Sequence, residues 1–266
     1  FSLFLKKKNK KKITMMIHAS SSIESAIAML SCVKEGIYFS VIFEDLPVYA
    51  IQKRVELFRP NIFVGKLPAV MKKISLSQKE SNIKFLDFKD IFKSFKKIKK
   101  TKSKSLSSNK NFFCLFTSGS TGTPKGVIHK YGGYSVYTKF SCKKQFGMNE
   151  NSLILTASDA GWINGHTYAL FGPLLLGART ILCEKPMLLL NSNNLNKLLS
   201  LGVTILYLPV TLIRFMKVTL RNVSIKKKQI LAIGSMGEPL DPYKTSWYAR
   251  KFKSYNSAIV NTYFQS

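Results

Sequence analysis

The stretch FTSGSTGTPKGVIH, residues 116–129, packs hydroxyls, glycines and lysine into a short span directly after the apolar run NFFCLF. Ser118, Ser120, Thr121 and Thr123 supply hydroxyl donors, and Thr117 precedes them. Gly119, Gly122 and Gly126 let the backbone turn and bring its N–H groups close to a ligand. Lys125 adds a full positive charge. Phosphate oxygens need several donors converging from one side, so this set forms a cradle for polyphosphate. A P-loop demands Gly-Lys followed by Ser or Thr and an immediate helix. The order here is Pro124-Lys125-Gly126, which excludes that class. A Gly/Ser-rich linker is the bland alternative, but the loop lies between two strongly apolar elements.

Other chemistry-bearing residues are sparse. Glu238 sits between Gly237 and Pro239, where an acid is odd as core and sensible beside a nucleotide. His166 in NGH is read as a structural hydrogen-bonding residue rather than a general base, and His18 and His129 carry no catalytic assignment. Trp162 and Trp247 are read as core aromatics. Asp159 serves equally well as a site residue or as a cap on the turn before Trp162. Cys32, Cys114, Cys142 and Cys183 are scattered, without CxxC pairs or metal-ligand spacing. A disulfide framework is unusual in a chain this long, so they read as reduced cysteines of a cytoplasmic protein.

The elements that must position these residues alternate. SSIESAIAMLSCVKEG, residues 21–36, has a Ser cap, a nearby Glu24, helical apolar spacing and a closing Gly. ITMMIHA and IYFSVIF flank it as short buried strands, which makes a β–α–β unit in a parallel sheet. VYAIQKRVELFRP predicts a helix and NIFVGK a further strand. Residues 66–110 are polar, Lys- and Ser-rich and weakly periodic, and read as a long connector with one short helix. Beyond the loop, GGYSVYTKFSCKKQFG predicts a helix, SLILTA a strand, GHTYALFGPLLLGA a helix and RTILC a strand. The pattern continues with NLNKLLSLG, VTILYLP, VTLIRFMKV, QILAIGS, YKTSWYARKF and AIVNTYF as alternating helices and strands. Alternation of this kind means layered α/β architecture.

Composition bounds the rest. The 266 residues suit one large α/β domain or two small ones, and 45% hydrophobic residues are enough to build a core. The 42 Lys+Arg against 13 Asp+Glu give +29, which invites a nucleic-acid or anionic-membrane reading. Only Arg54, Arg59, Arg179, Arg214, Arg221 and Arg250 are arginines, the residue suited to bidentate phosphate recognition. The lysines lie mostly in runs, at 6–12, 93–104 and 226–228, as in solvated loops and tails. A generic basic surface is favoured over a dedicated nucleic-acid site. No apolar run reaches the about 18 residues of a membrane span. The start places its apolar stretch before its charge, the reverse of a secretory signal, and opening on Phe suggests a fragment or a processed chain.

TSGSTGTPKGV resembles the phosphate-loop signature of the adenylate-forming enzymes: acyl-coenzyme A synthetases, luciferases and peptide-synthetase adenylation domains. HKYGGY, SDAGWINGHTYALFGPLLLGARTIL, VTILYLPVTLIRFM, GSMGEPLDP and IVNTYFQ follow in the order and rough spacing of the AMP-forming acetyl- and propionyl-coenzyme A synthetases. The resemblance is strong over 111–266, thinner over 13–64, and fails across the Lys-rich connector. It implies a layered αβα large N-terminal domain. Residues 1–65 would be its first β–α–β part, 66–110 the connector and 111–266 the main ATP- and acyl-binding part. The small C-terminal domain would be absent.

The resemblance implies ATP, magnesium and coenzyme A as cosubstrates of a small carboxylic acid. A carboxylate oxygen attacks the α-phosphorus and pyrophosphate leaves; the coenzyme A thiol then attacks the acyl-adenylate and AMP leaves. By resemblance, residues 117–126 (Thr117, Ser118, Gly119, Ser120, Thr121, Gly122, Thr123, Pro124, Lys125 and Gly126) hold the β- and γ-phosphates, with Lys125 as the point charge. Gly237, Glu238 and Pro239 line the adenine. Asn261, Thr262, Tyr263, Phe264, Gln265 and Ser266 contact adenine and the α-phosphate. Ile163, Met236 and Phe264 wall the acyl pocket, and Asn164 meets coenzyme A. Phe264 where the family has Trp, Met236 for a smaller apolar residue and Ile163 for Val roughly cancel in volume, which implies two- or three-carbon acids. The family's magnesium-binding Glu and its C-terminal Lys lie beyond residue 266, and GKLPAVMKK offers no counterpart to the arginines that hold the coenzyme A diphosphate. The resemblance therefore implies a portion that binds nucleotide and turns over poorly alone. A truncated, inactive synthetase and a basic nucleic-acid-binding protein remain the alternatives. Oligomeric state is not legible.

Overall fold

The computed structural model describes residues 1, 13–66, 83–93, 102–117, 122–225, 230–252 and 258–263. The lysine runs 6–12 and 226–228 lie outside these residues, as does most of 93–104. The chain forms two compact units, Phe1–Tyr134 and Ser135–Gln265.

The first unit begins with the expected β–α–β arrangement. Strand β1 (Thr14–His18) leads to helix α1 (Ile23–Glu35) and to strand β2 (Tyr38–Ile42), which pairs parallel to β1. Ser22 caps α1 by accepting from the Ser25 amide at 3.2 Å, while Ser25 Oγ accepts from the Ser22 amide at 3.0 Å. Two otherwise orphaned donors are thereby satisfied. Gly36 ends the helix at φ 65°, its N–H donating back to the Cys32 and Val33 carbonyls. Helix α2 (Val48–Phe58) returns the chain to strand β3 (Ile62–Gly65), parallel to β1 on its other side.

Strand β4 (Lys84–Asp87) and the short helix α3 (Phe88–Lys93) follow. The connector thus contains its expected helix and also an edge strand, parallel to β3, that its composition concealed. Strand β5 (Asn111–Thr117) pairs parallel to β2, and strand β6 (Lys125–Lys130) folds back antiparallel on β5. The order is β4-β3-β1-β2-β5-β6. Met16, Phe63, Cys114 and Phe116 pack with Ile51 and Val55 of α2, and Met15, one residue out of phase, meets Cys32 of α1. Strands covered on both faces read as continuous apolar runs, as these do.

Helix α4 (Tyr131–Phe146) begins in the first unit and continues into the second. There, strands β7 (Leu153–Thr156), β8 (Arg179–Leu182), β9 (Ile205–Pro209), β10 (Ala232–Met236) and β11 (Ala258–Asn261) form an all-parallel sheet in the order β11-β10-β9-β7-β8. Leu153, Leu155, Leu206, Leu208 and Ile233 join one core with helices α6 (Ser192–Leu199), α7 (Val210–Thr219) and α8 (Pro242–Phe252). Ile154, Ile205, Tyr207, Ala232 and Val260 join another with Cys142, Phe146 and Tyr168. The period-2 alternation places successive residues on opposite faces, and helices cover both.

The segment expected as one regular helix is a seven-residue π-helix, Gly165–Phe171, followed by the short helix α5 (Gly172–Leu175). Its glycines explain the seating. A Cβ at Gly165 would stand 2.0 Å from the Asp159 carbonyl oxygen, and one at Gly172 2.2 Å from Cys142 Sγ. Only residues without side chains allow the wide turn to press this closely on the preceding loop and on α4.

Candidate functional site

In the first unit the candidate phosphate loop joins β5 to β6. Thr117 and Lys125 are cross-strand partners, with Thr117 Oγ1 donating to the Lys125 carbonyl at 3.5 Å. The loop runs from strand to strand, not from strand to helix, in keeping with the exclusion of a P-loop. Gly122 lies at φ 79° with open space around it, and Thr123 and Lys125 are exposed. A Cβ at Gly126 would meet Cys114 Sγ at 2.9 Å, so that glycine also has a packing reason. Arg54 lies over the Phe116 ring at 5.7 Å and donates to the Ala50 carbonyl, bracing the strand that ends at the loop. Ser118, Gly119, Ser120 and Thr121 lie outside the described residues.

In the second unit, β7 lies between β8 and β9. The connection from β7 runs to β8 on one side and that from β9 to β10 on the other, and the crevice outside the carboxyl ends of strands at such a switch point is where open α/β sheets take ligands. Past Thr156, at the end of β7, the chain turns. Asp159 accepts from the Gly161 amide at 2.7 Å through its side chain and from the Trp162 amide at 3.1 Å through its carbonyl. Of the two roles open to Asp159, the cap on this turn is the one observed. Trp162 corrects its assignment to the core: it is 53% exposed, because the turn carries it to the rim of the sheet. Trp247 does pack against the core. His166 is fully buried, with Nδ1 at 3.2 Å from the Trp162 carbonyl, a structural contact as expected. Ile163 is buried beside this turn, and Asn164 Oδ1 is buried without a hydrogen-bond partner.

The ends of β10 and β11 carry the other candidates. Met236 is buried opposite Pro209, the last residue of β9. Gly237 turns the chain at φ 92°, a conformation costly for any residue with a Cβ. Glu238 accepts from Arg214 Nη2 at 2.8 Å, which ties the turn carrying Pro239 to helix α7. Asp241 then caps α8 by accepting from the Lys244 amide at 2.9 Å, and its hydrogen bonds with Lys244 hold its carboxyl below the usual range. At the end of β11, Asn261 accepts from Ser235 Oγ, and just past it Thr262 donates to the Ser235 carbonyl at 2.8 Å and Tyr263 is 88% exposed. Phe264, Gln265 and Ser266 lie outside the described residues. Ile163, Asn164, Met236–Pro239 and Asn261–Tyr263 therefore all follow carboxyl ends of one parallel sheet.

Two residues beneath these loops escaped the sequence reading. Tyr207, wholly buried in β9, lies with its hydroxyl 2.6 Å from Thr262 Oγ1. Burial pushes its phenol well above the ordinary range, so it stays protonated. Arg214 gave no signal beyond being one arginine among many lysines. A lone tyrosine inside the apolar run VTILYLP was the legible clue, since a buried tyrosine hydroxyl usually finds a partner.

A parallel sheet with loops gathered at its carboxyl ends is the architecture of a nucleotide-binding α/β protein. The chain belongs to the AMP-binding enzyme family, which matches residues 2–266. It is 29% identical over 272 residues to an acetyl-coenzyme A synthetase of Aeromonas salmonicida, covering 91% of this chain and 42% of that protein. A counterpart in Marinomonas sp. is 38% identical over 157 residues, 58% of this chain and 24% of that protein. The chain thus spans well under half the length of these relatives. Among solved structures, VinN in complex with L-aspartate matches with a TM-score of 0.82 at 13% identity, over 98% of this chain and 65% of that one. That likeness shows the fold. Among the described residues no helix is long and apolar enough to cross a membrane.

Proposed function

We propose that this chain is the ATP- and acyl-binding portion of an AMP-forming acid–thiol ligase that activates acetate or propionate and passes the acyl group to coenzyme A. The observation that carries this reading is the gathering of Ile163, Asn164, Met236–Pro239 and Asn261–Tyr263 at the carboxyl ends of β7, β10 and β11, around the switch point. Phosphoryl chemistry of this type is largely positioning and charge neutralisation. Lys125 and the hydroxyls of 117–123 take the β- and γ-phosphates and guide pyrophosphate out. Gly237, Glu238 and Pro239 line the adenine. Asn261 to Ser266 hold the adenine edge and the α-phosphate. The carboxylate needs no general base, because it is already ionised at neutral pH, so His166 has no proton to move. Ile163, Met236 and Phe264 confine the acid, and Asn164, with its unsatisfied buried oxygen, meets coenzyme A.

Magnesium enters with ATP. Among the described residues no group of three or more His, Cys, Asp or Glu is arranged to hold a metal, and magnesium accompanying a nucleotide keeps waters and substrate phosphates as most of its ligands. The four free cysteines support a reducing, cytoplasmic setting. The test is equilibrium binding of ATP and AMP to the wild type and to Lys125→Ala. Removing one charge from the phosphate cradle should weaken ATP about tenfold, the loss of a charge-assisted contact, and leave AMP unchanged. Equal loss for both nucleotides, or none, would remove the phosphate-loop assignment.

A further inference from the structure

Beneath the loop that follows β11 lies a buried chain of hydroxyls and aromatic rings. The Thr262 hydroxyl has a single proton, which it donates to the Ser235 carbonyl at 2.8 Å. Its 2.6 Å contact with Tyr207 is therefore one in which the tyrosine donates and the threonine accepts. The Thr262 amide also donates to Ser235, at 3.1 Å. Tyr207 itself cannot move freely. Its ring is fully buried, edge-on to Tyr168 at 5.0 Å and to Phe146 at 5.1 Å between centroids. Tyr168 is fixed in turn by a 2.6 Å contact of its hydroxyl with Ser141 of α4. The cluster fits because residue 234, facing it from β10, is glycine. A Cβ there would stand 2.7 Å from both Tyr207 and Phe146.

We propose that Tyr207 is a positioning residue for nucleotide: its hydroxyl clamps Thr262 from inside the sheet and so fixes Asn261–Tyr263 at the carboxyl end of β11. The inference rests on the nucleotide-binding reading above. The logic is preorganisation. A ligand that must select one backbone conformation binds more weakly by the fraction in which that conformation is populated. Tyr207 reaches no ligand itself. It acts from the core, which is why a strand that otherwise needs only apolar residues carries a hydroxyl.

The test compares two tyrosine hydroxyls from one cluster. Tyr207→Phe should raise the ATP Kd three- to tenfold, speed amide exchange in the peptide covering Asn261–Tyr263 without ligand, and move Tm by only a few degrees. Tyr168→Phe, which keeps the ring that abuts Tyr207 and removes only its hydroxyl's contact with Ser141, should cost clearly less than Tyr207→Phe in both Kd and exchange. Thr262→Val should weaken ATP, and adding Tyr207→Phe to it should cost nothing further, because the clamp is already broken. Equal Kd for wild type and Tyr207→Phe, or equal losses in the two tyrosine variants, would overturn the proposal. A wild type that does not bind ATP would overturn the parent reading instead, and the exchange rates would still decide whether Tyr207 holds the loop.

Discussion

Replacing Gly234 with alanine probes the packing on which the clamp depends. Gly234 lies in β10 with its backbone outside the left-handed region, so alanine meets no conformational strain. The added methyl would instead stand 2.7 Å from Phe146 Cε1 and 2.7 Å from Tyr207 Cδ2, about 1 Å inside an ordinary carbon–carbon contact. Neither ring can swing away, since Phe146 is 3% and Tyr207 0% exposed and both are packed edge-on to Tyr168. Overpacking of this kind costs about 1–3 kcal/mol. The loss of unfolded-chain freedom on going from Gly to Ala returns about 0.4–1 kcal/mol. A net loss of about 1–2 kcal/mol remains, which should lower Tm by about 3–6 °C in a thermal melt followed by near-ultraviolet circular dichroism. Phe146→Leu removes part of the obstruction, so the double variant should be less destabilised than the sum of the two single ones. A neutral Gly234→Ala, or strict additivity with Phe146→Leu, would refute the packing argument and weaken the case that Tyr207 is held in place.

Burial is the leading influence on both His18 and His129 and holds each below its ordinary pKa, with Glu44 and Asp45 opposing it at His18. The unfolded chain therefore binds more protons below about pH 6.5, so this stability is intact above that pH and lost as pH falls through it. The urea midpoint should drop between pH 7 and pH 5, and less so in His129→Phe, which keeps the stacking on Phe113 at 4.6 Å; an unchanged pH profile would contradict this. Arg214→Ala should cost under about 1 kcal/mol in thermal unfolding, because its pair with Glu238 is half exposed. A larger loss would mean that the turn after Gly237 depends on that tether more than its exposure implies.

How much of this was legible follows from where each segment sits. Ser22 and Gly36 mark the ends of α1 because caps are local chemistry, and VTILYLP reads as a strand because both its faces are covered. Strand β4, KFLD, lies at a sheet edge and is partly exposed, so little apolar alternation distinguishes it from its lysine-rich surroundings. Strand β6 is the opposite edge, and its largely exposed KGVIHK read as a continuation of the loop. The π-helix is tertiary in origin: the contacts of Gly165 with Asp159 and of Gly172 with Cys142 leave no periodicity to read. Asn164, Glu238 and Thr262 entered as expectations through the family resemblance of the motifs that carry them. Tyr207 and Arg214 did not, since their importance lies in what they hold across strands and helices distant in sequence.

The central claim, a nucleotide site on a chain of net charge +29, is tested most directly by titrating the protein with ATP, GTP and inorganic triphosphate at about 0.15 and 0.5 M salt. Attraction to a generic basic surface ignores the base and collapses as salt screens it. The account predicts saturable binding that favours ATP clearly over GTP and triphosphate and survives the higher salt with a modest loss. Indistinguishable affinities for the three, all abolished at 0.5 M salt, would contradict it.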